Sequence, residues 1–158
     1  VYSKEEKKKI KRDFWEGFRT YSTPRRRKLG KPKQWVLQNT GIKAIDLKFD
    51  IDAKQASVGL DVVSKSNSTR ELYWNKLLGL KNILNKEFKE ELVWEKAHRL
   101  DSGKEIVRIS AIKKKVNIYE NDCWFGVYAF FFDHMIKFES FFEEYKEIIR
   151  VRQGDNQV

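Results

Sequence analysis

The sequence predicts an α+β domain: a mainly antiparallel five-stranded sheet packed by three helices, in the order α-β-β-β-α-β-β-α. Three observations carry this. Apolar and polar residues alternate with period two over residues 45–49 and again over 56–62, as half-buried strands do. The polar tetrapeptide Asp101-Ser102-Gly103-Lys104 separates two apolar stretches, as a hairpin turn would. Near the C-terminus, aromatic and aliphatic residues recur at helical spacing over seven turns.

The elements follow in order. Ser3 and Glu6 have the spacing of a capping box. They open a helix that is expected to run to about residue 20, with Ile10, Phe14, Trp15 and Phe18 on its apolar face. Pro24, Gly30 and Pro32 mark a loop from there to residue 33. Trp35-Val36-Leu37-Gln38 is expected as the first strand. Ile45, Leu47 and Phe49 line one face of the second, and Ala56, Val58, Leu60 and Val62 one face of the third. Ser68 or Thr69 would cap a second helix that continues to Phe88 through Leu72, Leu77, Leu80 and Leu84. Residues 92–100 and 105–113 form the hairpin. Asn121 or Asp122 would cap a last helix ending near Arg152. Residues 1–152 thus make one domain, with 153–158 expected as a flexible tail. Short links favour antiparallel neighbours, and the alternation along the strands puts helices on one sheet face and allows a wet face on the other.

Composition bounds the function. The chain has 158 residues, 41% hydrophobic, with five Trp and eleven Phe. That is enough to bury a core without disulfides or metals, and too apolar for a disordered chain. No run reaches the roughly 18 apolar residues of a membrane helix, and residues 1–6 lack a signal-peptide core. A single Cys123 forbids an internal disulfide and fits a reducing, cytoplasmic compartment. One Cys and two His are too few for an ordinary structural zinc site.

The net charge of +10 is concentrated. Residues 1–33 hold thirteen Lys and Arg against four Asp and Glu; the remainder holds twenty against nineteen. The densest part contains Arg25, Arg26, Arg27, Lys28, Lys31 and Lys33, the candidate nucleic-acid contacts, because guanidinium groups pair with phosphates bidentately. A solvated surface loop is the plainer reading of the same run.

In the last helix, Trp124, Tyr128, Phe131, Met135, Phe138, Phe142, Tyr145 and Ile149 form a heptad seam. A second row holds Val127, Phe130, His134, Phe141 and Ile148. The stripe is wide enough both to cover the sheet and to offer a flank to a second copy in a homodimer. His134 reads as a core or edge residue.

No nucleophile triad or Gly-rich phosphate loop is legible. Cys123 sits at a helix start, where its thiol could be activated, but a cysteine beside Trp124 reads first as packing. His98 and Arg108, with Glu95 and Lys96, would line the polar face of the hairpin. The leading α-β-β-β-α-β order equals the core order of PD-(D/E)XK nucleases, whose acidic residues hold a divalent metal while a Lys assists the attacking water. The matching candidates are Asp50 or Asp52, Asp61 and Lys65, with Mg²⁺ required only under this alternative. Lys65 lies four residues beyond Asp61, two more than that pattern places it, which adds about 7 Å along a strand.

Most of the chain, residues 2–150, resembles the bacterial and archaeal domain-of-unknown-function family numbered 4268. The resemblance rests on Tyr2-Ser3-Lys4-Glu5-Glu6 leading to Phe14-Trp15 and Phe18, on Ala56-Ser57-Val58-Gly59-Leu60-Asp61-Val62, and on Arg70-Glu71-Leu72-Tyr73. It continues in Val93-Trp94-Glu95-Lys96 and in Gly103-Lys104-Glu105-Ile106 with Arg108-Ile109. Similar domains also occur at the C-terminal end of longer chains with nuclease-like N-terminal parts, so the resemblance implies a role near nucleic acids and assigns no catalytic residue. The expectation is a non-catalytic binding or accessory domain without a cofactor. The alternatives are the metal-dependent nuclease and the homodimeric assembly module.

Overall fold

The structure, a computed structural model, describes residues 1–152; the tail assigned to residues 153–158 lies outside the described residues. Four helices and four strands follow the order α1 (Lys4–Lys28), β1 (Ile45–Ile51), β2 (Gln55–Val62), α2 (Asn67–Leu78), α3 (Lys81–Lys86), β3 (Val93–Arg99), β4 (Glu105–Lys114) and α4 (Trp124–Ile149). A 3₁₀ turn, Asn121–Cys123, leads into α4. The strands form one antiparallel sheet in the order β1-β2-β4-β3. The α+β class and the single antiparallel sheet are as the sequence predicts; the counts of five strands and three helices are not.

The missing strand is Trp35-Val36-Leu37-Gln38. This segment runs along the free edge of β1, but only one ladder bond joins them there, from the Leu47 N–H to the Leu37 carbonyl at 2.8 Å. Trp35 turns instead toward the helices, packing on Phe49 and Phe132. Without that strand the α-β-β-β-α-β run does not form, and the likeness to the nuclease core order loses its basis.

The basic stretch from Pro24 to Lys28 is helical, not loop. A proline inside a helix costs about 3 kcal/mol. Here tertiary contacts offset it, because continuing the helix carries Arg26 into the core. The Arg25 guanidinium also donates to the Tyr21 carbonyl at 2.8 Å, next to the bond the proline removes. The helix stops one turn later. Gly30 adopts φ of 69°, and the Lys31 N–H returns to the Arg26 carbonyl at 2.9 Å, as in a Schellman end.

Two further boundaries move. The single helix expected up to Phe88 breaks at Gly79 and Leu80, so that Leu80, Leu84 and Phe88 are redirected into the core. Its cap is Ser66, whose hydroxyl accepts from the Thr69 N–H, rather than Ser68 or Thr69. At the last helix neither Asn121 nor Asp122 caps through its side chain; both lie in the 3₁₀ turn.

One hydrophobic core lies between the sheet and the helices. Leu47, Phe49, Val58, Leu60, Ile109 and Ala111 supply the sheet side. Against them packs α4, crossing chiefly β2, with α1 and α2 flanking it. Phe18, Phe49 and Phe131 meet with ring centroids 4.9–5.5 Å apart, which ties α1, β1 and α4 together. Gly17 lets α1 approach α4 closely: a Cβ there would collide with the Tyr128 hydroxyl. That hydroxyl donates to the Phe14 carbonyl at 2.7 Å, and burial pushes its pKa up to about 12. The heptad seam of α4 is therefore largely consumed by the core. Of the large apolar α4 side chains, Phe125 and Ile148 remain well exposed, at opposite ends of the helix.

Candidate functional site

The basic front of the chain separates into three kinds of charge. Arg26 is 1% exposed. Its Nη1 lies 3.2 Å from Glu139 of α4, its Nε donates to the Pro32 carbonyl at 2.7 Å, and its guanidinium lies 4.0 Å from the Trp35 ring centroid. It is a structural cation, out of reach of phosphate. Arg25 stacks on Tyr21 with 3.6 Å between guanidinium carbon and ring centroid. Lys31 lies 3.8 Å from Glu139 and 3.7 Å from Glu143. Of the six predicted contacts, Arg27, Lys28 and Lys33 remain exposed.

A second set sits further up α1. Lys8, Lys11, Arg12 and Arg19 are exposed, and none is in an ion pair among the described residues. At 100° per residue, Lys8, Arg12, Trp15 and Arg19 fall on one stripe of the helix, with Lys11 beside it. The same stripe continues through Ser22 and Arg26. There it is covered, because Trp35 donates to the Ser22 hydroxyl at 3.2 Å and stacks with Arg26. The loop after α1 thus covers the C-terminal half of the stripe and leaves its N-terminal half open.

The sheet face turned away from the helices carries a charged row in cross-strand register: Asp46, Asp61, Arg108 and Glu95, one from each strand. Asp61 is 4% and Arg108 8% exposed. Arg108 donates from Nε and Nη2 to the two Asp61 oxygens, both at 2.9 Å. Its guanidinium is held above its ordinary pKa, first by that hydrogen bond. Its remaining Nη1 lies 3.2 Å from His98 Nε2 and 4.0 Å from Asp50. Arginine only donates, so His98 Nε2 accepts and the imidazole proton sits on Nδ1, 3.2 Å from Glu95. Residues three apart in a strand should face opposite ways. A register irregularity between Glu95 and His98 turns both onto this face. The result is a polar cleft of about 250 Å³ bordered by Asp50, Ser57, His98 and Arg108. Through these contacts the network braces all four strands.

Asp46 stands directly across from Asp61. Burial, and then the Asp61 charge, raise its pKa, with Lys48 and Lys104 opposing. The folded protein therefore binds this proton more tightly than the unfolded chain does. Stability is unaffected below the ordinary carboxylate range and falls as pH rises through that range. Asp46→Asn is expected to melt above the parent near neutral pH and level with it in acid. Melting curves recorded across this pH range check it.

The four nuclease candidates are not brought together. Asp61 is committed to Arg108. Asp52 accepts the Lys54 and Gln55 N–H groups in the β1–β2 turn, at 2.7 and 2.9 Å. Lys65 follows the opposite end of β2, a strand about 23 Å long at ~3.3 Å per residue. There it lines a separate cleft of about 760 Å³ at the start of α2, with Lys43 and Lys104. Among the described residues, no three His, Cys, Asp or Glu side chains converge as a metal site would need. Cys123 is a turn residue, its thiol 3.2 and 3.1 Å from the Asn117 and Glu120 carbonyls. His134 lies against Phe88 and Phe130 and meets Glu90. No helix is long and apolar enough to cross a membrane among the described residues.

Fold and surface together define an α+β domain with a braced polar sheet face and an open basic stripe on its first helix. The chain belongs to the family described as Domain of unknown function (DUF4268), whose sequence profile matches residues 10–146. No curated protein and no solved structure matches it.

Proposed function

We propose that this is a non-catalytic nucleic-acid-binding or accessory domain that meets the phosphate backbone with the outer surface of α1. The observation that carries this is the set of four exposed, unpaired cations, Lys8, Lys11, Arg12 and Arg19, on one side of a rigid helix. Arg27 and Lys28 are also exposed at the helix end, Lys28 on the opposite side of the helix, and Lys33 is exposed on the loop beyond. Cations without a protein carboxylate lose little on meeting phosphate, and they release condensed counterions from it. A helix also holds them in fixed register, so less side-chain order is lost than from a loop.

The reading predicts binding that weakens steeply between about 50 and 200 mM salt. Changing Lys8, Lys11, Arg12 and Arg19 together to glutamate should make the log–log salt slope for a single strand shallower by about 3 units, at ~0.7 per neutralised phosphate. Fluorescence anisotropy with labelled oligonucleotides checks this. Failure of single-stranded and duplex DNA and RNA alike to bind at low salt ends the proposal.

A further inference from the structure

We infer that the basic stripe serves single-stranded nucleic acid in particular, with an unstacked base seated on Trp15 at the mouth of the groove between α1 and the edge of β1. The inference rests on the nucleic-acid reading above and adds to it the class of strand.

Trp15 is in an unusual place for a tryptophan. One face of its indole lies parallel to Phe131, with an interplanar angle of 3° and centroids 5.9 Å apart. The residue is nevertheless 37% exposed, and it lines the groove between α1 and the edge of β1. Its indole N–H has no acceptor among the described residues. Phe14 and Phe18 hold the ring edge-on, which fixes its orientation. A rigid indole, backed by Phe131 and partly exposed to a groove, is a stacking platform. Every base offers a π-face to such a platform, whatever the sequence.

The groove beside it encloses about 720 Å³, room for a base with its sugar, and is lined by Trp35, Val36, Leu47 and Lys48 as well as Trp15 and Phe18. Val36, 49% exposed, gives it an apolar wall open to solvent. Charge complementarity selects the occupant. Of the four helix positions three and four residues from Trp15, three are the cations Lys11, Arg12 and Arg19 and the fourth is Phe18; Lys48 lies across the groove, with Asp46 near it on the same strand. An apolar peptide strand laid along the β1 edge would leave these cations unanswered. A nucleic-acid strand supplies phosphates to them and a base to the indole. In a duplex the bases stay stacked inside and Trp15 gains nothing.

The test compares a short oligothymidylate, the same strand with abasic sites, and a duplex of equal length, at one salt concentration. Thymidylate is expected to bind about 5- to 150-fold more tightly than the abasic strand, the range for loss of one stacked base, and to quench Trp15 emission. Trp15→Ala should remove that difference, whereas Trp15→Phe, which keeps an aromatic face, should retain most of it. Both variants should melt as single transitions. If all three ligands bind equally, or Trp15→Ala binds thymidylate as the parent does, the inference falls and the helix reads phosphate alone. If nothing binds, the wider proposal falls first. If light scattering shows a dimer that Trp15→Ala dissociates, a second copy fills the groove and the inference is overturned.

Discussion

Replacing Arg26 with alanine is expected to destabilise the domain by about 3–5 kcal/mol, as happens when one partner of a buried ion pair is removed. For a domain of this size that lowers the melting temperature by roughly 6–20 °C. The expectation comes from what the change would strand. Glu139 is 6% exposed, and without Arg26 its carboxylate keeps only Lys31, at 3.8 Å. The Pro32 and Gln34 carbonyls lose their donors, and one face of Trp35 loses its cover. The neighbouring Lys31 places the cost toward the lower end of that range. Arg26→Lys keeps the charge but lacks the planar fork that reaches Glu139 and two carbonyls together, so it should recover only part of the loss. Arg27→Ala, one residue on and exposed, should stay within about 0.5 kcal/mol. Thermal unfolding of the three variants separates a structural arginine from a surface one.

The same run of arginines shows what could be read from the sequence and what could not. Three adjacent guanidinium groups have three fates because a helix turns 100° per residue: Arg25 lies on Tyr21, Arg26 enters the core and Arg27 faces solvent. The four-residue spacing of Phe18, Ser22 and Arg26 would have revealed this, had Pro24 not ended the helix on paper. Strands β1 and β2 were legible because apolar and polar residues alternate along each, and so were the β3–β4 hairpin and the long aromatic helix; that residues 58–62 of β2 are buried on both faces was not. Residues 35–38 have strand-like composition, yet strand formation depends on a partner edge, and Trp35 instead contacts Ser22 and Arg26 of α1 and Phe132 of α4. The acidic row was legible only in part. Asp61 and Arg108 can each be placed on a strand, but their pairing depends on the β2–β4 register across 47 residues. The irregularity that turns His98 toward them leaves no mark in composition. Trp15 went into the apolar face of α1 with its neighbours; its exposed ring is a product of where the loop after α1 stops covering the stripe.

The second large effect is expected at Asp61. Asp61→Ala leaves Arg108 buried with two unanswered N–H donors, a loss of about 3–5 kcal/mol. Asp46 and Asp50 are close enough to offset some of the bare charge, but neither has the bidentate geometry. Pairing the change with Arg108→Leu removes the orphan as well. The double variant should therefore be more stable than Asp61→Ala alone, with a coupling of about 1–3 kcal/mol in a double-mutant cycle followed by chemical denaturation. If both single changes prove harmless and additive, the row is a set of solvated charges and the bracing role is wrong. The outcome also decides how a catalytic test must be built. Loss of any cleavage activity in Asp61→Ala would be confounded by loss of the fold, since the side chain that the nuclease alternative needs is the one that holds β2 to β4 through Arg108. Asp50, whose carboxylate is half exposed and only 4.0 Å from Arg108, can be changed at little structural cost. Its substitution is the change whose effect on Mg²⁺-dependent cleavage would speak of chemistry rather than of folding.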